Sequence, residues 1–185
     1  MIPIGYNAKL IAQPEPWLEC DAVEEILSVS ECTSDSPIDH TSLWLCNSWF
    51  LYDSEQALED ALSKSSIPDG SVVRRFFYEL HPTFLEEGQQ FPAVKVPSSV
   101  AARQDGMTLR GFDVSCFSSG PPDCSPLSCN AGAKEFAVNR YCLLDTLEQA
   151  FEAAKVIDRG GYEPGPYGVI AVWEVDDTDH AGDRS

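Results

Sequence analysis

Basic side chains are scarce in this sequence, which has 12 Lys and Arg against 30 Asp and Glu and a formal net charge of −18 at pH 7. Binding of nucleic acid depends on Lys and Arg side chains that neutralise phosphates. The composition therefore argues against DNA, RNA and anionic membrane surfaces as ligands. A strongly acidic surface keeps a protein soluble, and it can also attract a basic partner protein.

Long apolar runs are also lacking, since none approaches the roughly 20 residues of a membrane-spanning helix. Residues 1–6 do not show the basic region and apolar stretch of a signal peptide. We therefore expect a cytoplasmic protein without a membrane segment. The chain of 185 residues suits one domain, and its 43% apolar content is enough for a core.

Familiar catalytic motifs are missing as well. The sequence contains no glycine-rich phosphate-binding loop, no Gly-x-Ser-x-Gly and no His-Glu-x-x-His. These absences argue against nucleotide-driven and common hydrolytic enzymes. We expect no cofactor and no catalytic residues of a known type, and we favour a non-catalytic protein over a new kind of enzyme.

Two stretches of the chain resemble each other and indicate an internal repeat. Residues 47–54 read Asn-Ser-Trp-Phe-Leu-Tyr-Asp-Ser, and residues 139–146 read Asn-Arg-Tyr-Cys-Leu-Leu-Asp-Thr. After one inserted residue, the match resumes between 55–61 and 148–154. Tyr-Glu-Leu at 78–80 and Trp-Glu-Val at 173–175 extend it, and Gly-Tyr at 5–6 is weakly similar to Gly-Phe at 111–112. The repeat predicts one domain over residues 1–175 with two similar halves, about 1–81 and 105–175. An irregular linker at about 82–104 joins the halves, and residues 176–185 form a flexible acidic tail.

Each half has the same predicted order of elements. Short apolar strands at 50–52 and 142–144 precede Asp-Ser and Asp-Thr pairs, whose side chains can cap an amphipathic helix. Long strands follow the helices at 72–80 and 167–175. Further strands are predicted at 4–12, 26–31 and 107–117. A mainly antiparallel sheet with both helices packed on one face gives an α+β fold.

The segment 116–130, which we call the cysteine loop, concentrates cysteines among prolines and serines. The spacing Cys116-x7-Cys124-x4-Cys129-x12-Cys142 narrowly misses that of a structural zinc site, so we predict no metal. Packing thiols are the favoured interpretation, with Cys142 buried. The alternative is a nucleophilic cysteine activated by a histidine, for which the sequence offers three candidates: His40, His81 and His180.

Asp-Cys-Ser-Pro-Leu-Ser-Cys-Asn at 123–130, Asn-Arg-Tyr-Cys-Leu at 139–143 and Glu-Pro-Gly-Pro-Tyr at 163–167 resemble segments of a family of uncharacterised bacterial proteins of similar length. The N-terminal Ile-Pro-Ile-Gly-Tyr is also similar. The resemblance implies a bacterial, cytoplasmic protein and brings no activity with it.

These patterns leave two hypotheses for the function. The first is an acidic interaction module, of the inhibitor or immunity type, that covers a basic surface of a partner protein. The second is a small-ligand-binding protein or enzyme with a site at the cysteine loop between the two halves. Seven residues form its candidate site: Cys124, Cys129, Asn130, Asn139, Asn47, Glu79 and Glu174. The matched asparagines could instead close turns, and the matched glutamates could face solvent.

Overall fold

The computed structural model describes residues 1–176 except 12, 34, 39–44, 94–95 and 98. Five antiparallel strands form one sheet: β1 Ile2–Leu10, β2 Val73–Glu86, β3 Gln89–Pro92, β4 Met107–Cys116 and β5 Tyr167–Val175. Three α-helices accompany them: α1 Glu55–Leu62, α2 Pro126–Cys129 and α3 Leu147–Gly160. The order across the sheet is β1-β2-β5-β4, and β3 forms a hairpin with the end of β2. The predicted α+β class is confirmed.

The helices α1 and α3 pack on the same face of the sheet. Phe77 on β2 lies opposite Trp173 on β5, and both belong to the cluster that buries Leu58 and Ala61 of α1. Val169, four residues before Trp173 and therefore on the same face, packs in the cluster that buries one side of α3. The apolar stripes of both helices thus supply the core on this face.

The opposite face of the sheet is covered by chain without regular structure. Ile170 and Val172 on β5 pack there against Leu27, Val29 and residues near Trp49. Residues 26–31, predicted as a strand, extend no sheet, although residues 26–30 are buried. Their backbone groups bond elsewhere, because the Leu27 amide donates to the Tyr141 carbonyl and the Val29 amide donates to the Asp113 side chain. The strand prediction here is wrong.

Other predicted boundaries also shift. The short strands at 50–52 and 142–144 reduce to single bridges, Tyr6 with Tyr52 and Phe112 with Leu144. The predicted linker is partly regular, since β2 runs on to Glu86 and pairs with β3. The strand at 167–175 is confirmed to the residue. Both segments of the proposed repeat have a bridge, a helix and a long strand in that order, and duplication of a whole half stays a prediction. Residues 177–185 of the predicted tail lie outside the described residues.

Both long helices begin at the predicted hydroxyl caps. The Ser54 hydroxyl accepts from the Ala57 amide at 3.2 Å, and the Thr146 hydroxyl accepts from the Gln149 amide at 3.2 Å. The Gln149 side chain returns a bond to the Thr146 amide, which completes the predicted capping box. The preceding aspartates have a different role, because each accepts a hydrogen bond from an asparagine side chain.

Ser54→Ala and Thr146→Ala should each lower the free energy of unfolding by about 1 kcal/mol, because each leaves a first-turn amide without its partner. Urea denaturation followed by circular dichroism measures the change. The exposed Ser66, outside any helix, provides the matched control Ser66→Ala, which should stay within about 0.5 kcal/mol of the wild type. Equal stability of all four proteins would contradict the assigned caps.

Candidate functional site

The two matched asparagines hold loops in place. The Asn47 amide nitrogen donates to the Ile4 carbonyl at 3.0 Å and to Asp53 at 3.0 Å, and its oxygen accepts from two backbone amides of its own loop. Asn139 makes the same four bonds, with Arg110 and Asp145 in the corresponding places. Both side-chain amides are thus engaged within the protein, which favours the turn-closing interpretation over ligand contact.

Two glycines allow the loops of Asn47 and Asn139 to lie close against strands β1 and β4. Gly5 has φ +140°, and a Cβ there would lie 2.5 Å from the Leu51 Cβ. Gly111 has φ +145°, and its Cβ would lie 2.8 Å from the Leu143 Cβ. Each glycine sits at a bulge where the strand register shifts. The loops anchored by Asn47 and Asn139 therefore meet β1 and β4 in the same way.

The two matched glutamates are not brought together. Glu79 lies opposite Ala171 and Glu174 lies opposite Phe76, so the alternation of side chains puts the two carboxylates on opposite faces. Glu174 is held between Arg110, at 2.6 Å, and Arg74, at 3.5 Å, and Glu79 faces Arg103 at 3.9 Å. Both carboxylates are tied to arginines, and they cannot act as an acid/base pair.

The cysteine loop brings three of the candidate residues together: Cys124, Cys129 and Asn130. The Cys124 thiol donates to the Asn130 side-chain oxygen at 3.2 Å, and the Asn130 amide nitrogen donates to Glu163 at 3.0 Å. Cys129 ends the one-turn helix α2 and is partly buried, with its sulfur 3.5 Å from the Ser30 hydroxyl oxygen. Of the seven candidates, these three form a local cluster.

The electrostatics of Cys129 differ from those of an ordinary packing thiol. Its pKa is lowered because the sulfur interacts by hydrogen bonding with Cys124, with Ser30 and with the Ser125 backbone, and these contributions outweigh burial. Burial raises the pKa of the Cys142 thiol, which has no exposed surface. The sequence favours packing thiols throughout, and the bonding around Cys129 instead favours a thiolate there.

A buried carboxylate that sequence reasoning missed lies beside this cluster. Asp113 on β4 has no exposed surface, and its Oδ2 accepts from the Ser125 hydroxyl at 2.6 Å and from the Val29 amide at 2.8 Å. Within the described part of the chain, Oδ1 has no hydrogen-bond partner. Burial raises the pKa of Asp113 to about 7, although both hydrogen bonds favour the charged form.

Lys9 is the second missed residue and the buried cation of the site. Its ammonium donates to the carbonyls of Val29 at 3.1 Å and Ser30 at 3.2 Å. Burial lowers the pKa of Lys9 to about 8, and four nearby acidic groups oppose that shift: Glu31, Asp113, Asp35 and Cys129. Lys9 therefore balances the negative charge collected around it.

The sequence contains a pattern that points to both Lys9 and Asp113. Lys9 and Asp113 each occupy an inward position in a strand whose neighbouring positions are apolar. Alternation along a strand places such residues either in solvent or in the core. The pattern alone does not say whether such a residue faces solvent or the core. That depends on the chain that covers this face of the sheet, residues 23–33 and 35–38, which we call the covering chain.

A cavity of about 830 Å³ opens next to the cluster. The cysteine loop contributes Ser119, Pro121, Pro122 and Asp123 to the lining. A second part of the chain contributes Val29, Glu31, Cys32, Asp35, Ser36 and Ile38. A third part contributes the aromatic residues Trp49 and Tyr52. Cys32 lines the cavity and also interacts electrostatically with Cys129, so the cavity extends to the thiol cluster. None of the matched asparagines and glutamates lines it.

The predicted alternative of a cysteine activated by a histidine finds little support in the described residues. His81 packs edge-on against Phe151 of α3, with 4.4 Å between the ring centroids. His40 and His180 lie outside the described residues. Within the same part of the chain, no three His, Cys, Asp or Glu side chains are arranged to hold a metal ion. The helices described there are also too short or too polar to cross a membrane.

The raised pKa of Asp113 predicts a pH dependence of stability. Folding favours its protonated form, so its contribution is full below the ordinary pKa of about 3.9 and is lost as the pH rises through about 7. Between pH 5 and pH 8, the free energy of unfolding should fall by about 1–3 kcal/mol more in the wild type than in Asp113→Asn. Urea denaturation at each pH measures this, with the exposed Asp21→Asn as control. Parallel curves for the wild type and Asp113→Asn would contradict the assignment.

Comparison of the chain with protein-family models, with curated protein sequences and with solved structures finds no match in any of the three. The resemblance to uncharacterised bacterial proteins therefore stays a prediction. The function has to be argued from the site itself.

Proposed function

We propose that the protein binds a small, positively charged organic molecule in the cavity beside the cysteine loop. One observation carries this proposal: among the described residues that line the cavity, the charged side chains are the carboxylates Glu31, Asp35 and Asp123. The cavity volume of about 830 Å³ falls in the range of small-molecule sites. A ligand with an ammonium or guanidinium group would meet opposite charge on entry.

The walls suit the apolar part of such a ligand. Four residues of the lining are almost fully buried: Val29, Trp49, Leu51 and Tyr52. Phe50, which is 57% exposed, presents accessible aromatic surface at the rim. An aromatic face attracts a cation, and it also excludes water from the carboxylate that pairs with that cation. Asn7, which donates to Glu31 at 3.4 Å, supplies a polar group at the same wall. The combination favours a cation with a hydrophobic body over a bare inorganic ion.

Calorimetric titration with agmatine, spermidine and benzylamine tests the proposal, each beside an uncharged analogue of similar shape. At least one cation should bind, and Glu31→Gln/Asp123→Asn should weaken it by tenfold or more. The exposed pair Asp21→Asn/Glu148→Gln makes the same change in net charge away from the cavity and should leave affinity unchanged. Absence of binding by every cation, or equal weakening by both double variants, would contradict the proposal.

The second candidate function is the acidic interaction module, an inhibitor or immunity-type protein that covers a basic partner surface. The observation in its favour is Phe50, which lines the cavity rim and is 57% exposed beside the carboxylates. An exposed aromatic residue next to acidic groups is typical of a protein-binding hot spot. The cavity would then receive a basic side chain of the partner.

For the interaction module, a partner captured from a bacterial lysate should bind the wild type and the Asp21/Glu148 control but not Phe50→Ala. Capture should weaken at least tenfold between 0.05 and 0.5 M salt, because screening removes the attraction between the acidic protein and a basic partner. Capture that Phe50→Ala and added salt leave unchanged would contradict this candidate.

A further inference from the structure

Three thiols from two distant parts of the chain meet around one serine. The Ser30 hydroxyl oxygen accepts from the Cys32 amide at 3.1 Å and lies 3.5 Å from the Cys129 sulfur. The thiols of Cys32 and Cys124 both interact electrostatically with the same sulfur, which places them close to it. The side chain of Ser30 thus fixes the segment that carries Cys32 against the helix that carries Cys129.

The three thiols differ in their access to solvent. Cys32 is exposed and lines the cavity, Cys129 is partly buried behind it, and Cys124 is buried. A small polar reagent therefore meets Cys32 in the cavity, and of the other two thiols the partly buried Cys129 is more accessible than Cys124. Cys142, another thiol of the surrounding core, has no exposed surface.

The charge around Cys129 suits a reactive sulfur. Five titratable residues surround it: Lys9, Cys32, Asp113, Cys124 and Cys142. Lys9 is the only cation of this set and attracts the thiolate, and the Ser30 hydroxyl lies within hydrogen-bonding distance of the sulfur. Thiolates, rather than thiols, react with oxidants and disulfides.

We propose that Cys129 and Cys32 form a peroxide-sensitive dithiol that closes to an intramolecular disulfide at the inner end of the cavity. Cys129 is the attacking residue, and Cys32 is the resolving residue. The oxidant is hydrogen peroxide or a small organic hydroperoxide. The proposal does not depend on the ligand-binding function.

Oxidation of the dithiol to the disulfide takes two steps. The Cys129 thiolate attacks one peroxide oxygen, the O–O bond breaks, and hydroxide leaves and takes up a proton, which gives a sulfenic acid at Cys129. The Cys32 sulfur then attacks the sulfenic sulfur, the S–O bond breaks, and water leaves with the Cys32 proton. In total two thiols lose two electrons, and one hydrogen peroxide is reduced to two water molecules.

The test exposes the full-length protein to a small excess of hydrogen peroxide, with and without dimedone, and maps thiols by mass spectrometry. Wild type and Cys20→Ser, a matched removal of a thiol elsewhere, should both form the disulfide between Cys32 and Cys129. In Cys32→Ser the disulfide should be lost and dimedone should trap Cys129. In Cys129→Ser, Cys32 should stay reduced and unlabelled.

The pH profile of the reaction separates a thiolate from an ordinary thiol. A cysteine with a pKa of about 8.5 loses roughly 80-fold in rate between pH 8 and pH 6, because the thiolate fraction falls by that factor. The Cys129 rate should fall less than threefold over this range. A disulfide between Cys124 and Cys129, oxidation of Cys32 before Cys129, or an 80-fold fall in rate would each overturn the proposal. Circular dichroism of each variant confirms that loss of oxidation does not reflect loss of the fold.

Discussion

The buried carboxylate of Asp113 joins three parts of the molecule that no regular secondary structure connects. It stands on β4, accepts from the Val29 amide in the covering chain and accepts from the Ser125 hydroxyl in the cysteine loop. The Ser125 hydroxyl in turn accepts from the Ser30 amide at 3.3 Å. A hydrogen bond to a charged group contributes about 1.5–3 kcal/mol, and a buried amide without a partner costs a similar amount. The irregular face of the sheet therefore depends on this residue.

Lys9 completes the arrangement from the other edge of the sheet. Its ammonium binds the carbonyls of Val29 and Ser30, and Asp113 binds the Val29 amide, so the covering chain is held by side chains at both its donors and its acceptors. A neighbouring strand normally supplies these bonds. Because side chains supply them here, the chain at residues 26–30 can be buried without being a strand. Its direction then places Glu31 and Cys32 at the cavity.

The sequence was most informative where local chemistry decides structure. The apolar strand at 167–175 and the hydroxyl caps Ser54 and Thr146 follow from side-chain alternation and from first-turn amides that need a partner. The match between Cys142 and Phe50 was less reliable. Both have φ near +60°, but Cys142 is fully buried and Phe50 is exposed, so the shared backbone turn does not imply a shared environment.

The glutamate pair shows why sequence matching did not locate the site. Tyr6 pairs with Phe77, and the corresponding Phe112 pairs with Ala171, so the position equivalent to Glu79 is Trp173. Matching Glu79 to Glu174 is therefore wrong by one residue, and one residue in a strand reverses the face. The asparagines were matched correctly because they belong to a local turn, whereas Asp113 and Lys9 depend on contacts with chain far away in sequence.

An interior cation is unusual in a protein with a net charge of −18, and its placement explains how so many acidic groups can converge. Burial disfavours the ammonium of Lys9, yet Glu31, Asp113, Asp35 and Cys129 all raise its pKa. Two of these groups, Glu31 and Asp35, line the cavity, and the other two lie beneath it. Lys9 therefore offsets the repulsion between the acidic groups that line the cavity and those in the core. The carboxylates that face the cavity still attract a cation that arrives from solvent. The same charge also interacts with Cys129, so Lys9 links the electrostatics of the cavity to those of the thiol cluster.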